Sequence, residues 1–86
     1  MIDIFYHKTF QKKYQKIPKF IQEAFKERLR LFLERPNHPL LRNHDVHKAY
    51  PGCRSVNVSG DYRAIFKQEG NIVKFVNIDT HSQLYG

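Results

Sequence analysis

The sequence predicts an α+β fold: a strand, two helices and then antiparallel strands, giving one three- to four-stranded sheet packed on an αα-hairpin. Three observations predict it. Apolar residues recur at spacings of four and three from Phe10 through Tyr14, Ile17, Ile21 and Phe25, the period of a helix face. From Arg54 the period drops to two, with Val56 and Val58 alternating against Ser55, Asn57 and Ser59. Glycine-containing corners then separate strands at Ser59-Gly60-Asp61 and Glu69-Gly70-Asn71.

Each element has its own reason. Ile2-Asp3-Ile4-Phe5-Tyr6 alternates and then stays apolar, which suits a strand with one mostly buried side. Phe10, Tyr14 and Ile17 define a short helix whose outer face holds Lys8, Lys12, Lys13 and Lys16. Pro18 suits the first position of a second helix, where its missing N–H costs nothing. That helix carries Ile21, Phe25 and Phe32 on one stripe, and Arg30 pairs with Glu34 at i,i+4 outside. Pro36 ends it. Residues 36–52 read as loop, with a short edge strand near Val46 to Ala49. If the Ser59-Gly60-Asp61 loop is three residues long, Ala64 and Phe66 join the valines in the core, and Arg63 joins Asn57 on the other face. Ile72 to Ile78 forms a largely apolar central strand that runs into the polar cluster Thr80-His81-Ser82-Gln83-Leu84-Tyr85. The helix pair covers one face of the sheet. The other is left open, with Asn57 and Arg63 on it and Arg54, Asp61 and His81 near its ends.

Composition bounds the function. Eighty-six residues form one domain, and 41% hydrophobic with 14% aromatic content is globular. The net charge of +7 points to a polyanionic partner: nucleic acid, an acidic protein or an anionic membrane. Cys53 is the only cysteine, so no internal disulfide forms and a reducing compartment fits. No apolar run approaches the ~20 residues that span a bilayer, and Met1 to Tyr6 lack the layout of a signal peptide. A cytoplasmic protein with no membrane partner is expected. His38, His44 and His47 have no cysteine pair beside them and no helix to fix their geometry, so neither a metal site nor a cofactor is expected.

The remaining polar residues can hold a phosphate and move a proton. His81 is the best titratable candidate, because an imidazole works near neutral pH. His44 sits in a loop that could fold over the sheet. Asp61 is either a base or orienter, or a turn former. Arg63 has the fork that suits bidentate phosphate contact; its competing use is a cross-strand pair with Asp61, Glu69 or Asp79. Arg54 is similar, or ties down the C-terminus. Tyr85 either stacks on a base or borders the core. Lys12 and Lys13 lie on a helix face that is solvated, contacts RNA phosphates, or does both.

The motifs Asn43-His44, Gly52-Cys53-Arg54-Ser55, Gly60-Asp61-Tyr62-Arg63-Ala64-Ile65-Phe66 and Thr80-His81-Ser82-Gln83-Leu84-Tyr85 resemble those of the RelE/ParE-superfamily toxins of type II toxin–antitoxin systems. The likeness covers the whole chain and is nearest to the RelE and YafQ-type ribosome-dependent mRNA endoribonucleases. It implies metal-independent cleavage of mRNA by attack of a 2′-OH on the adjacent phosphate, with ribosome, mRNA and a cognate antitoxin as partners. By this resemblance His44, Asp61 with Tyr62, and His81 with Tyr85 match catalytic or RNA-contacting positions. Arg54 and Arg63 match phosphate-binding positions. Asn57 stands where the YafQ-type has a second histidine, and it can hydrogen-bond but not transfer protons. The alternatives are a ParE-like toxin that binds DNA gyrase without nuclease activity, and a basic RNA- or ribosome-binding module without catalysis.

Overall fold

A computed structural model describes residues 1–85. The elements run β1 (Asp3–Tyr6), α1 (Lys8–Lys16), α2 (Lys19–Glu34), a 3-10 turn (Pro39–Leu41), β2 (His44–Asp45), β3 (Arg54–Ser59), β4 (Tyr62–Glu69), β5 (Ile72–Thr80) and α3 (His81–Tyr85). Together the strands form one five-stranded sheet in the order β1-β5-β4-β3-β2. This is one strand more than the residue pattern predicts. β1 is an edge strand parallel to β5, whereas every other pairing is antiparallel. The second edge, β2, is two residues long and pairs His44 with Ser55. It precedes the segment expected to hold it, because Val46 to Ala49 is closed into a turn by the Ala49 and Tyr50 amides donating to the Val46 carbonyl.

Local chemistry fixes the helices. His7 caps α1 by accepting the Thr9 N–H on Nδ1, and Lys13 and Lys16 sit in its last turn, where a cation suits the dipole. Pro18 is the N-cap of α2 rather than its first residue. The helices are stapled reciprocally: the Tyr14 hydroxyl donates to the Gln22 carbonyl, and Gln22 Nε2 donates to the Tyr14 carbonyl. Arg30 pairs with Glu27 at 4.0 Å, not with Glu34, an exposed contact of little energetic weight.

The main core lies between the helix pair and the sheet. Phe75 is its centre, with ring centroids of Tyr6, Phe10, Phe25, Phe32 and Phe66 between 5.2 and 6.3 Å away. Two bulges set the faces. One, between Asn57 and Ser59, offsets the two-residue Gly60-Asp61 connection, so that Val56 still faces Ala64 and Asn57 faces Arg63. The Val58 carbonyl within it accepts from Arg28 Nε of α2. The other pairs Ile65 with Asn77 but Phe66 with Phe75, leaving Val76 as the extra residue. Phe75 and Ile78 therefore enter the main core while Val76 packs on the opposite side.

That opposite face is not open. A second cluster of Cys53, Ile65 and Leu84, flanked by Val46, Tyr50, Val76 and Tyr85, covers part of it. It exists because β5 gives way to a helix: the strand stops at Thr80, and His81–Tyr85 turns into α3. Thr80 Oγ1 accepts the Gln83 N–H at 3.3 Å, the side-chain cap that starts this helix. Burial in this cluster pushes the Cys53 thiol pKa up, against a smaller opposing effect from Lys67.

The Phe75 hub should dominate stability. Phe75→Ala is expected to cost about 3–5 kcal/mol, out of roughly 4–13 kcal/mol available to a domain of this size. Urea unfolding of the isolated chain would measure it. A midpoint close to that of the wild type would show that the core does not depend on this ring.

Candidate functional site

On the face opposite α1 and α2, an open cleft of about 670 Å³ lies between residues 42–46, the β3–β4 strands and α3. It gathers His44, Asn57, Arg63, His81 and Tyr85. Register explains the floor: Asn57 and Arg63 are direct partners across β3 and β4. Side chains directly opposite on an antiparallel pair share a face and have Cβ atoms about 5 Å apart.

The two histidines are held differently. His44 Nδ1 lies 2.6 Å from the Arg42 carbonyl. A carbonyl can only accept, so this nitrogen carries the hydrogen, and in the neutral ring Nε2 keeps its lone pair. Arg42 itself adopts a left-handed backbone with φ 46°, the one positive φ outside glycine among the described residues. That conformation costs a non-glycine residue on the order of 1–2 kcal/mol. His81 is the first residue of α3, and its backbone N–H donates to the Asp61 carbonyl at 2.8 Å. Its ring lies 4.8 Å from that of Tyr85, tilted by 48°.

Among the described residues Arg63 pairs with no carboxylate. Its Nη1 donates to the Gly60 and Tyr62 carbonyls, at 2.7 and 3.1 Å. Its register partner across β4–β5 is Asp79, yet the Asp79 carboxylate is engaged elsewhere. It accepts the Thr80 N–H and pairs with Lys13 Nζ at 3.2 Å. Lys13 thereby occupies the carboxylate that lies across the strands from Arg63.

Several residues that the sequence marks as candidates stand outside the cleft. Arg54 falls on the Val56 and Val58 side of β3 by strand alternation. Its guanidinium donates to Asn43 Oδ1 at 2.7 Å and to the Asn43 carbonyl, and it pairs with Asp45 at 3.6 Å. It braces the 43–45 segment that presents His44; the C-terminal residue that it was expected to tie down lies outside the described residues. Tyr62 packs against the main core. Asp61 sits in the turn, tied to the site through its backbone carbonyl. Lys12 and Lys13 belong to α1, which packs on β5 from the helix side. Conversely, the cleft includes residues to which the sequence pattern gives no role: Arg42, Asp45 and Ser55. Ser55 is fully buried, and its Oγ has no hydrogen-bond partner among the described residues. The signal that could have found this group is the register that sets Ser55 opposite His44.

With strands, helices and cleft in place, the fold is that of the RelE/ParE superfamily. The chain belongs to the family described as the ParE toxin of type II toxin–antitoxin systems, parDE, whose model matches residues 4–85. It is thus a toxin of a type II toxin–antitoxin system. Solved structures with this fold include YafQ from Escherichia coli strain BL21(DE3), with 22% identity, all of both chains covered and a TM-score of 0.83. YafQ in the E. coli DinJ–YafQ toxin–antitoxin complex is 21% identical, with 99% of this chain and 98% of that chain covered and a TM-score of 0.81. YoeB in a heterotetrameric YoeB–YefM complex from Staphylococcus aureus is 14% identical, covering 94% and 98%, with a TM-score of 0.74. No curated protein matches the chain.

The Lys13–Asp79 pair yields a prediction. In Lys13→Ala the Asp79 carboxylate should turn to Arg63, shifting the Arg63 guanidinium NMR signals. Stability should fall by less than about 1 kcal/mol, since the pair is partly exposed. Unchanged Arg63 signals would contradict it.

Proposed function

We propose that this toxin is a ribosome-dependent mRNA endoribonuclease that inhibits translation. The observation that carries this reading is the placement of two imidazoles, His44 and His81, with the Arg63 guanidinium on one cleft. The two histidines come from opposite sides of the cleft, His44 from the β2 edge and His81 from the start of α3, and β3 and β4 form the floor between them. Cleavage by a 2′-OH needs a base, an acid and a cation for the extra charge on the phosphorane. His44 Nε2, which holds the lone pair in the neutral ring because Nδ1 carries the hydrogen, takes the 2′-OH proton. The 2′-oxygen attacks phosphorus, the P–O5′ bond breaks, and the leaving 5′-oxygen takes a proton from the His81 imidazolium. The products are a 2′,3′-cyclic phosphate and a 5′-hydroxyl. Arg63 holds the non-bridging oxygens, Asn57 donates a further hydrogen bond, and Tyr85 offers a ring to a base. Asp61 acts through its carbonyl, seating His81. No step requires a metal or cofactor.

The net charge of +7 supports the ribosome and its mRNA as partners. Complexes of YafQ with DinJ and of YoeB with YefM support a cognate antitoxin for this chain. The same charge favours an acidic or amphipathic antitoxin segment that folds as it docks. The family's ParE description favours a second reading, a gyrase-binding toxin without catalysis. A pure binder has no use for an imidazole pair around an arginine that, among the described residues, meets no carboxylate, and the nuclease reading accounts for that pair.

Primer extension on translated mRNA after brief expression separates the readings. Cuts in the ribosomal A site are expected; intact mRNA with gyrase-poisoned DNA would establish the second reading. His81→Ala should slow cleavage by roughly a hundredfold or more with ribosome affinity little changed. Arg63→Ala should remove about 2–4 kcal/mol of transition-state stabilisation while the protein stays folded. Full growth arrest by a soluble Arg63→Ala chain would contradict the role given to Arg63.

A further inference from the structure

The short helix bearing His81 is held by a residue outside the cleft. α3 has five residues, too few for a helix to hold itself together in water, and its last carbonyls have no partners within it. Its orientation is therefore set by ties to its surroundings. At its start, the His81 N–H donates to the Asp61 carbonyl. At its end, the Tyr50 hydroxyl donates to the Leu84 carbonyl at 2.9 Å.

Tyr50 is a fixed post. Its amide donates to the Val46 carbonyl and its carbonyl accepts the Cys53 N–H, both at 2.9 Å, so two turns lock its backbone. Its ring meets Tyr85 edge-on, at 5.9 Å and 80°, and packs with Cys53, Ile65 and Leu84. Asn77 Nδ2 approaches the hydroxyl from β5 at 3.5 Å. The bulge at Val76 makes that approach possible, because it places Asn77 opposite Ile65 on this side of the sheet. Tyr50 thus links β5 and the 46–53 turns to the end of α3, while Tyr85 stands between it and the His81 ring.

We propose that Tyr50 is a positioning residue: its hydroxyl anchors α3 and so sets the orientation of the His81 ring in the cleft. The consequence for cleavage rests on the nuclease reading; the consequence for His81 does not. Misplacing a reacting group by about 1 Å costs up to a hundredfold in rate.

Tyr50→Phe keeps the ring and removes only the hydroxyl, and it is best tested in the purified full-length chain. In a translating extract its cleavage rate should fall about tenfold, with the half-saturating ribosome concentration changed less than about twofold. The His81 imidazole NMR signals should shift, while those of His38, which caps the 3-10 turn, stay in place. Cleavage within twofold of wild type with unmoved His81 signals would overturn the proposal. A Tyr50→Phe chain that no longer folds would also overturn it, by making the residue purely structural. If the wild type itself does not cleave, the nuclease reading falls, and the His81 signals alone then decide whether Tyr50 orients α3.

Discussion

Everything in this molecule hangs on β5. It is hydrogen-bonded to β1 on one side and β4 on the other, so it carries both the parallel and the antiparallel halves of the sheet. Phe75 at its middle collects the aromatic rings of both helices, of β1 and of β4. One residue later the bulge reverses the facing of the strand, sending Val76 and Asn77 to the other side. Val76 helps to build the second cluster there, and Asn77 reaches Tyr50. The strand then ends on Thr80, whose hydroxyl starts α3 and thereby places His81. Core and cleft are consecutive uses of one strand, so the packing that stabilises the fold also fixes the geometry of the site.

The excess of basic residues is divided between fold and function. Arg28 is bonded to the Val58 bulge, Arg54 to Asn43 and Asp45, and Lys13 to Asp79. These cations brace elements, with Arg54 holding the 43–45 segment on which His44 sits. Arg63 differs from them. Among the described residues its hydrogen bonds run to the carbonyls of its own turn, so its charge is not neutralised by a carboxylate. A cation left in this state over a polar floor costs little in an open cleft and is free to meet an anion.

Much of the architecture was legible in residue patterns. The αα-hairpin followed from Phe10, Tyr14, Ile21 and Phe25, and the facing of Arg63 with Asn57 followed from the alternation around Val56 and Val58. Other features were hidden for physical reasons. Parallel pairing of β1 with β5 brings together residues about seventy positions apart, and no local pattern encodes it. The bulge left a trace, since Val73 and Phe75 are followed in the core by Ile78 and not by residue 77. α3 left a clearer one: Thr80-His81-Ser82-Gln83 has the spacing of a capping box, yet next to a long apolar strand it reads as a strand end. Arg54 was misplaced because alternation puts it on the same side as the valines, where its fork finds Asn43. Tyr62 joined the core for the same reason of parity with Ala64. The position of Tyr50 against α3 and the burial of Ser55 depend on which chain segments cross above the sheet, and spacing within one segment carries no such information.

The central claim is that His44 and His81 serve a 2′-OH attack across Arg63. Chemical analysis of the ends left on ribosome-bound mRNA tests it most directly. Mass spectrometry of the fragments produced by the purified toxin should find a 2′,3′-cyclic phosphate on one side of the cut and a 5′-hydroxyl on the other. Intact mRNA, or fragments ending in 3′-hydroxyl and 5′-phosphate groups, would contradict the account.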